Sequence, residues 1–376
     1  MNRTLKTLIL TAFLITAAML HAEPRPFVAI PATPQHPRND SASIVELADG
    51  RLLMVWIEFI GSELGGNDEA PSHLAVATSR DGGATWEDRR VVVEPQAGER
   101  NVYNPAMLRL TNGRILLCYH AYNQLDWGKP LQSTGFVLTF DGTGHNPTPP
   151  RKIWDHQPYG PANNNLIRLS TGRLIRGLEV SPIRGGPVES GAWMSDDEGE
   201  TWRPSKNRVH LPLRGVMEAH PAELRSGELV MTFRTDLGAV FLSRSADHGL
   251  TWSDPQTTGL SAPESMPVLV ALPSTGDLAL IWNHSAYSPS YNHYGKRTPL
   301  TCAISSDGGR TWGHLQDIET APAFEFSNPS CNFFGKSKAI ITYFACPMVD
   351  PNGRGVFGRQ GMDLKALVVD EAWFYR

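Results

Sequence analysis

The sequence predicts an all-β chain folded as a six-bladed β-propeller, and three observations lead there. First, the phrase Ser-x-Asp-x-Gly-x-Thr-Trp occurs four times, at residues 79–86 (SRDGGATW), 195–202 (SDDEGETW), 245–252 (SADHGLTW) and 305–312 (SSDGGRTW). Second, its aspartates Asp81, Asp197, Asp247 and Asp307 stand 116, 50 and 60 residues apart, and a worn copy (TFDGTG, 139–144) splits the long gap at Asp141 into 60 and 56. Third, strand pairs of one grammar run between these marks: an alternating strand, a polar turn containing Gly, then a more apolar strand. SIVELADGRLLMVW, AMLRLTNGRILLCYH, LIRLSTGRLIRGLEV and AELRSGELVMTFR are examples. Patterns of helical period are absent.

Each element follows from local chemistry. In the repeated phrase the Asp accepts hydrogen bonds from nearby backbone N–H groups, the Gly admits positive φ, and the Ser and Thr hydroxyls satisfy what remains. The Trp offers a large apolar face for packing between neighbouring sheets. These are structural marks rather than ligand sites. Strand–turn–strand, a further strand and the marked turn make four strands per unit, which is one blade. A mature chain of about 350 residues at roughly 55 per unit gives six blades. The last blade is expected to close with strand material from the N-terminal segment, because closure removes exposed edges.

Residues 23–376 read as one propeller domain with no linker. Residues 1–22 read as a signal peptide: Arg3 and Lys6 precede an apolar run from Leu8 to Leu20, and polar, Pro-rich sequence follows. The chain is therefore expected to be secreted or periplasmic, with no membrane association after cleavage. The formal net charge is −4 and Lys and Arg do not cluster, which excludes a nucleic-acid or anionic-membrane role. Cys118, Cys302, Cys331 and Cys346 lie in or beside apolar runs without CxxC spacing, so no zinc or redox site is expected. A hairpin that set Cys331 against Cys346 would allow a disulfide.

The marks, the blade number and the leader together resemble the sialidase superfamily in its bacterial BNR repeat-like branch. MEAHPAELRSGELVMTFRT (217–235) is similar to the sialidase segment in which a Glu is followed sixteen residues later by an Arg, here Glu218 and Arg234. The resemblance implies that Glu218 acts as a base and that Arg234 is one of three arginines gripping a substrate carboxylate. Arg297, before the strand leading into the last box, matches a second. Asp68, in the Gly-rich loop IEFIGSELGGNDEAPSHLAVATS with Glu63 and Glu69, matches the acid/base carboxylate.

Two positions depart from the family pattern. Alignment on Gly50 puts Asp40 where the first arginine belongs, and Arg38 substitutes only if the strand is shifted. Phe326 stands where the family has its nucleophilic Tyr. Tyr287, Tyr291 and Tyr294 lie in the stretch SAYSPSYNHYG before Arg297, where one could replace the missing Tyr but surface contact is the expected role of each. In sialidases a neutral Tyr attacks because the substrate carboxylate repels a charged nucleophile. Without it, Glu218 would serve as nucleophile or as base for water, with Asp68 as acid. Arg100, Asn104, Asn164, His220 and Asn283 sit at strand ends that would face the central channel and contact a sugar.

The expectation is an exo-glycosidase acting on a terminal acidic sugar of a glycan, needing no cofactor or metal and working as a monomer. A carbohydrate-binding propeller without catalysis is one alternative. A polysaccharide lyase acting on uronate-containing glycans, with His220 as base, is another.

Overall fold

The computed structural model describes residues 23–349 and 361–376, so the expected leader, 1–22, falls outside the described residues. Six four-stranded antiparallel sheets form the ring. Blade one holds Asn39–Glu46, Leu52–Phe59, Ser72–Ser79 and Glu87–Val93; blade two runs from Asn101–Arg109 to Arg151–Gln157, and blade three from Leu166–Arg168 to Arg203–Pro204. Blade four runs from Met217–Glu223 to Gln256–Ser261, and blade five from Val268–Ala271 to Gly313–Glu319. Blade six takes Phe324–Phe334, Lys338–Pro347 and Asp363–Asp370, and its outer place is filled by Phe27–Ile30 from the other end of the chain. Phe27 pairs with Ala366 and Val28 with Lys365, so the ring is closed by main-chain hydrogen bonds.

Burial follows radial position. The second strand of blade one, LLMVWIEF, is buried throughout, whereas its outer strand EDRRVVV begins exposed. First strands of successive blades touch round the axis. Apolar side chains of adjoining blades merge into shared clusters, such as Leu53, Val55 and Leu74 of blade one with Leu117 and Phe136 of blade two.

The repeated phrase does structural work at one end of the ring. Asp81 Oδ1 accepts the Ser79 hydroxyl at 2.8 Å and the Thr85 N–H at 2.9 Å, and Oδ2 accepts the Thr85 hydroxyl at 2.7 Å. Ser79 Oγ in turn accepts the Gly83 N–H at 2.8 Å. The same four bonds recur around Asp197, Asp247 and Asp307. Worn Asp141 keeps a variant, accepting from the Thr143 and His145 N–H groups. The box glycine has positive φ and also abuts the preceding blade. A Cβ on Gly249 would lie 2.4 Å from Ile175 Cδ1, and one on Gly83 2.7 Å from Ile340 Cδ1. Each turn thus closes its own hairpin and fills the seam to its neighbour.

The opposite end is built differently. The first strands of blades one, two, four and six carry bulges between Asp40 and Ser43, Tyr103 and Ala106, Met217 and His220, and Ser327 and Ser330. Within them Ser41, Asn104, Glu218 and Asn328 have φ between 49° and 54°. A bulge lets a strand turn side chains it would otherwise bury toward the channel mouth. The hairpin of blade six sets Cys331 opposite Ile341 and Cys346 opposite Glu325, so these thiols do not face each other and no disulfide joins them.

Candidate active site

A cavity of about 790 Å³ opens at the bulged end, and Arg38, Asp68, Asn104, Glu218, Arg234 and Arg297 all line it. These residues come from blades one, two and four and from the loop before the third strand of blade five. Arg38 reaches it because the bulge after Asp40 shifts the strand. Asp40 itself is fully buried and holds Arg38 from behind, accepting Nε at 2.9 Å and Nη2 at 2.5 Å. Arg38 Nη1 donates to Asp68 Oδ1 at 2.9 Å, and its guanidinium lies 4.5 Å over the Phe59 ring.

Asp68 is held from two sides. Arg184 Nη2 donates to its Oδ2 at 3.3 Å and to Glu69 Oε1 at the same distance. Burial alone would raise the Asp68 pKa, but Arg38 and Arg184 outweigh it and hold the carboxyl well below its usual range. Asp68 is therefore ionised at neutral pH with its arginines in place.

Glu218 faces Arg234, whose Nη1 donates to both carboxylate oxygens at 3.3 Å. Arg234 also lies 3.5 Å from Glu264 Oε1, and Glu264 is further paired with Arg214 and with His293 Nδ1 at 3.1 Å. Burial, with help from Arg297, pushes His293 down to about 3, so this ring is neutral. Arg297 donates to Ser327 Oγ at 2.8 Å and to the Glu264 carbonyl at 3.0 Å. Burial and then the like charge of Arg234 push Arg297 down to about 10. Both effects disfavour its charge, and an anion arriving between the two guanidiniums would relieve them.

Four expected contact residues have other work. Arg100 points to the rim and pairs with Asp126 at 2.7 Å. Asn164 lies near the axis, accepting from Ser43 of blade one at 2.6 Å and from Asn332 of blade six at 3.0 Å. His220 is buried behind the bulge, its ring nitrogens 3.0 Å from the carbonyls of Glu218 and Asn163. Asn283 is buried and donates to the carbonyls of Arg297 and Phe326. None of the four lines the cavity. His220 and Asn283 thus serve main-chain carbonyls beside the cavity rather than a ligand within it. A lyase with His220 as base loses its residue on this ground.

Phe326 is 1% exposed, packed edge-on against Tyr343, and has no access to the cavity. Blade six offers Asn328 there instead, which donates to both oxygens of Asp40. Tyr291 and Tyr294 do line the cavity; Tyr287 stacks on Tyr294 outside it. The sequence reading missed Glu179, Arg184, Arg214, Tyr122 and Trp127, which also line it. Trp127 is 63% exposed, lies flat on Gly185 and stands beneath the Arg184 guanidinium at 5.0 Å. Only Trp127, an aromatic in a polar Asp-Trp-Gly turn, carried a signal in the sequence.

Elsewhere, His36, Glu58 and His73 bring three possible ligand atoms within 4.8 Å of one another. Glu58 is already covered by His73 at 2.6 Å and by Arg89. Despite burial, those two partners bring it down to about 2, so the cluster is a self-neutralised network pinning residues 31–37 to blade one.

The BNR repeat-like domain model matches residues 50–336, well over half of the sequence. The chain belongs to the BNR repeat-like domain family. No curated protein matches the sequence. Among solved structures, this BNR repeat-like protein is similar to one of unknown function from Dyadobacter fermentans, at 16% identity and a TM-score of 0.70 over 92% of this chain and 98% of that one. It is also similar to the Hadza microbial sialidase Hz136, at 19% identity and a TM-score of 0.71, covering 92% and 68%. The NanB sialidase of Streptococcus pneumoniae gives 12% identity and a TM-score of 0.73, covering 92% and 70%. At these identities the likeness is one of fold.

Proposed function

We propose that the protein is an exported exo-glycosidase that hydrolyses a terminal acidic sugar from a glycan. The observation that supports this most is the meeting of Asp68 and Glu218 with Arg38, Arg234 and Arg297 in one cavity, drawn from blades with no packing reason to share it. The cavity's volume suits a terminal sugar with part of its neighbour. Its arginines suit a planar anion, which guanidinium groups hold by paired, charge-assisted bonds. Asn104, in the wall beside them, would contact the ring hydroxyls.

With Phe326 buried, Glu218 takes the reacting role itself, as nucleophile at the anomeric carbon or as base for water. Arg234, bonded to both of its carboxylate oxygens, aims it. Asp68 fixes Arg38 and Arg184 and leaves their outer N–H groups for the substrate. Burial of Phe326 is also what a carbohydrate-binding propeller without turnover would show, and one assay separates the two. The protein is expected to release 4-methylumbelliferone from sialosides or uronosides, with Glu218→Gln slower by about 100-fold or more. Glycan binding without release by the wild type would point to the binding module.

A further inference from the structure

Glu179 stands at the cavity end of the second strand of blade three, Leu174–Val180, and nothing in the family pattern draws attention to it. Its Oε2 accepts the backbone N–H of Glu218 at 2.9 Å. That N–H is available because Glu218 is held in the left-handed region, φ 53°, at the bulge of blade four. The bulges of blades one, two and six place Ser41, Asn104 and Asn328 in the same conformation, so the bulge geometry sets it. The bulge therefore brings a second carboxyl against Glu218. The charged and titratable groups facing Glu179 are Tyr122 from blade two, Glu218 and Arg234 from blade four, and Arg214 from the segment before it. Neither arginine hydrogen-bonds Glu179, whereas Asp68 across the cavity has two that do.

We propose that Glu179 carries the proton of the hydrolysis, working beside Glu218, and that Asp68 is a fixed anion rather than the acid. The proposal rests on the glycosidase reading above. In the first step the Glu179 O–H passes its proton to the glycosidic oxygen as the bond from that oxygen to the anomeric carbon breaks. Glu218 either forms the new bond to that carbon or takes a proton from the attacking water. In the covalent route, ionised Glu179 then accepts a proton from the water that displaces Glu218. One glycosidic bond and one water are consumed, and the products are the free sugar and the aglycone alcohol. Burial, reinforced by the nearby Glu218 charge, pushes Glu179 up to about 7, so it keeps a proton at pH values where Asp68 has lost its own.

The test compares Glu179→Gln and Asp68→Asn on methyl and 2,4-dinitrophenyl glycosides of the acidic sugar that the wild type cleaves. Only the methyl glycoside needs a protonated leaving group. Glu179→Gln is expected to lose about 100-fold or more in kcat/KM on it, to keep kcat/KM, which reads the first step alone, near the wild-type value on the dinitrophenyl glycoside, and to lose the limb of the pH–rate profile near neutrality. Asp68→Asn keeps that limb. Equal losses on both substrates, or an unchanged limb, overturn the proposal while leaving the glycosidase reading intact. Carboxyl titration by ¹³C NMR of Glu-labelled protein needs no turnover. A resonance titrating near neutrality in the wild type and missing in Glu179→Gln is expected, and its absence from the wild type also overturns the proposal. If that resonance is present but no acidic glycoside is cleaved, the glycosidase reading fails and the assigned reaction falls with it.

Discussion

The two ends of the ring solve opposite problems. At the box end each of the four full boxes closes on its own bonds spanning at most four residues, between Ser79, Asp81, Gly83 and Thr85 and their repeats. Arginines of the preceding blade, such as Arg173 and Arg244, only add bonds to box carbonyls. At the cavity end, Arg38 pairs with Asp68 thirty residues on, Arg184 with Asp68 over 116 residues, and Asn328 with Asp40 over 288. Positive φ occurs at both ends. The boxes place it at Gly83, Gly199, Gly249 and Gly309 and at the residue before each, Glu198 and His248 among them, while the bulges place it at Ser41, Asn104, Glu218 and Asn328. One end repeats because each blade needs the same closure. The other diverges because each blade delivers a different group to a shared point.

If that contrast is right, damage at the two ends should differ in kind and in size. The largest stability effect is expected from Arg234→Ala, which strands Glu218 and part of Glu264 in a half-closed cavity. A loss of about 3–5 kcal/mol by denaturant unfolding is expected, with loss of acidic-sugar binding. A change below 1 kcal/mol would mean that the arginine is not integrated into the site.

Next is the pH dependence of Glu179. Its folded pKa near 7 lies above the ordinary 4.5, so between those values the native state holds a proton that the unfolded chain has released. The wild type therefore loses stability as pH rises through that window, by about 3 kcal/mol as an upper bound for a part-exposed group. Glu179→Gln should be more stable than the wild type at pH 8, and the gap should close toward pH 4.5. A difference in melting temperature that does not change with pH would sink this expectation.

At the box end, Gly249→Ala combines a disfavoured φ with contact against Ile175, and a loss of about 1–3 kcal/mol is expected with activity retained. Loss of activity without loss of stability would blur the division between the ends. The smallest stability effect is expected for Trp127→Ala, within about 0.5 kcal/mol, because the ring is largely exposed. Any larger effect there should appear in substrate affinity.

The same contrast explains what the sequence made legible. The boxes and strand grammar expose the ring because periodic local chemistry needs no knowledge of distant contacts. Arg38 shows the limit. Counting back from Gly50 lands on Asp40, and only the bulge, which no residue announces, moves the arginine into the site. His220 and Asn283 show a second limit, since a polar residue at a strand end looks alike whether it meets a substrate or satisfies a stray carbonyl. Glu179 closes an apolar strand, LIRGLEV, and becomes chemically distinctive only beside Glu218 of the next blade. Its role depends on a contact between two blades, so the strand's own pattern carries no trace of it.

The most direct test of the account is the rate of Glu218→Gln relative to the wild type on aryl glycosides of acidic sugars, with both proteins shown to be folded. The expected result is measurable release by the wild type and a loss of about 100-fold or more in the variant. Equal rates in the two proteins would contradict the assignment of the reacting carboxylate and, with it, the reading of this cavity as the site of hydrolysis.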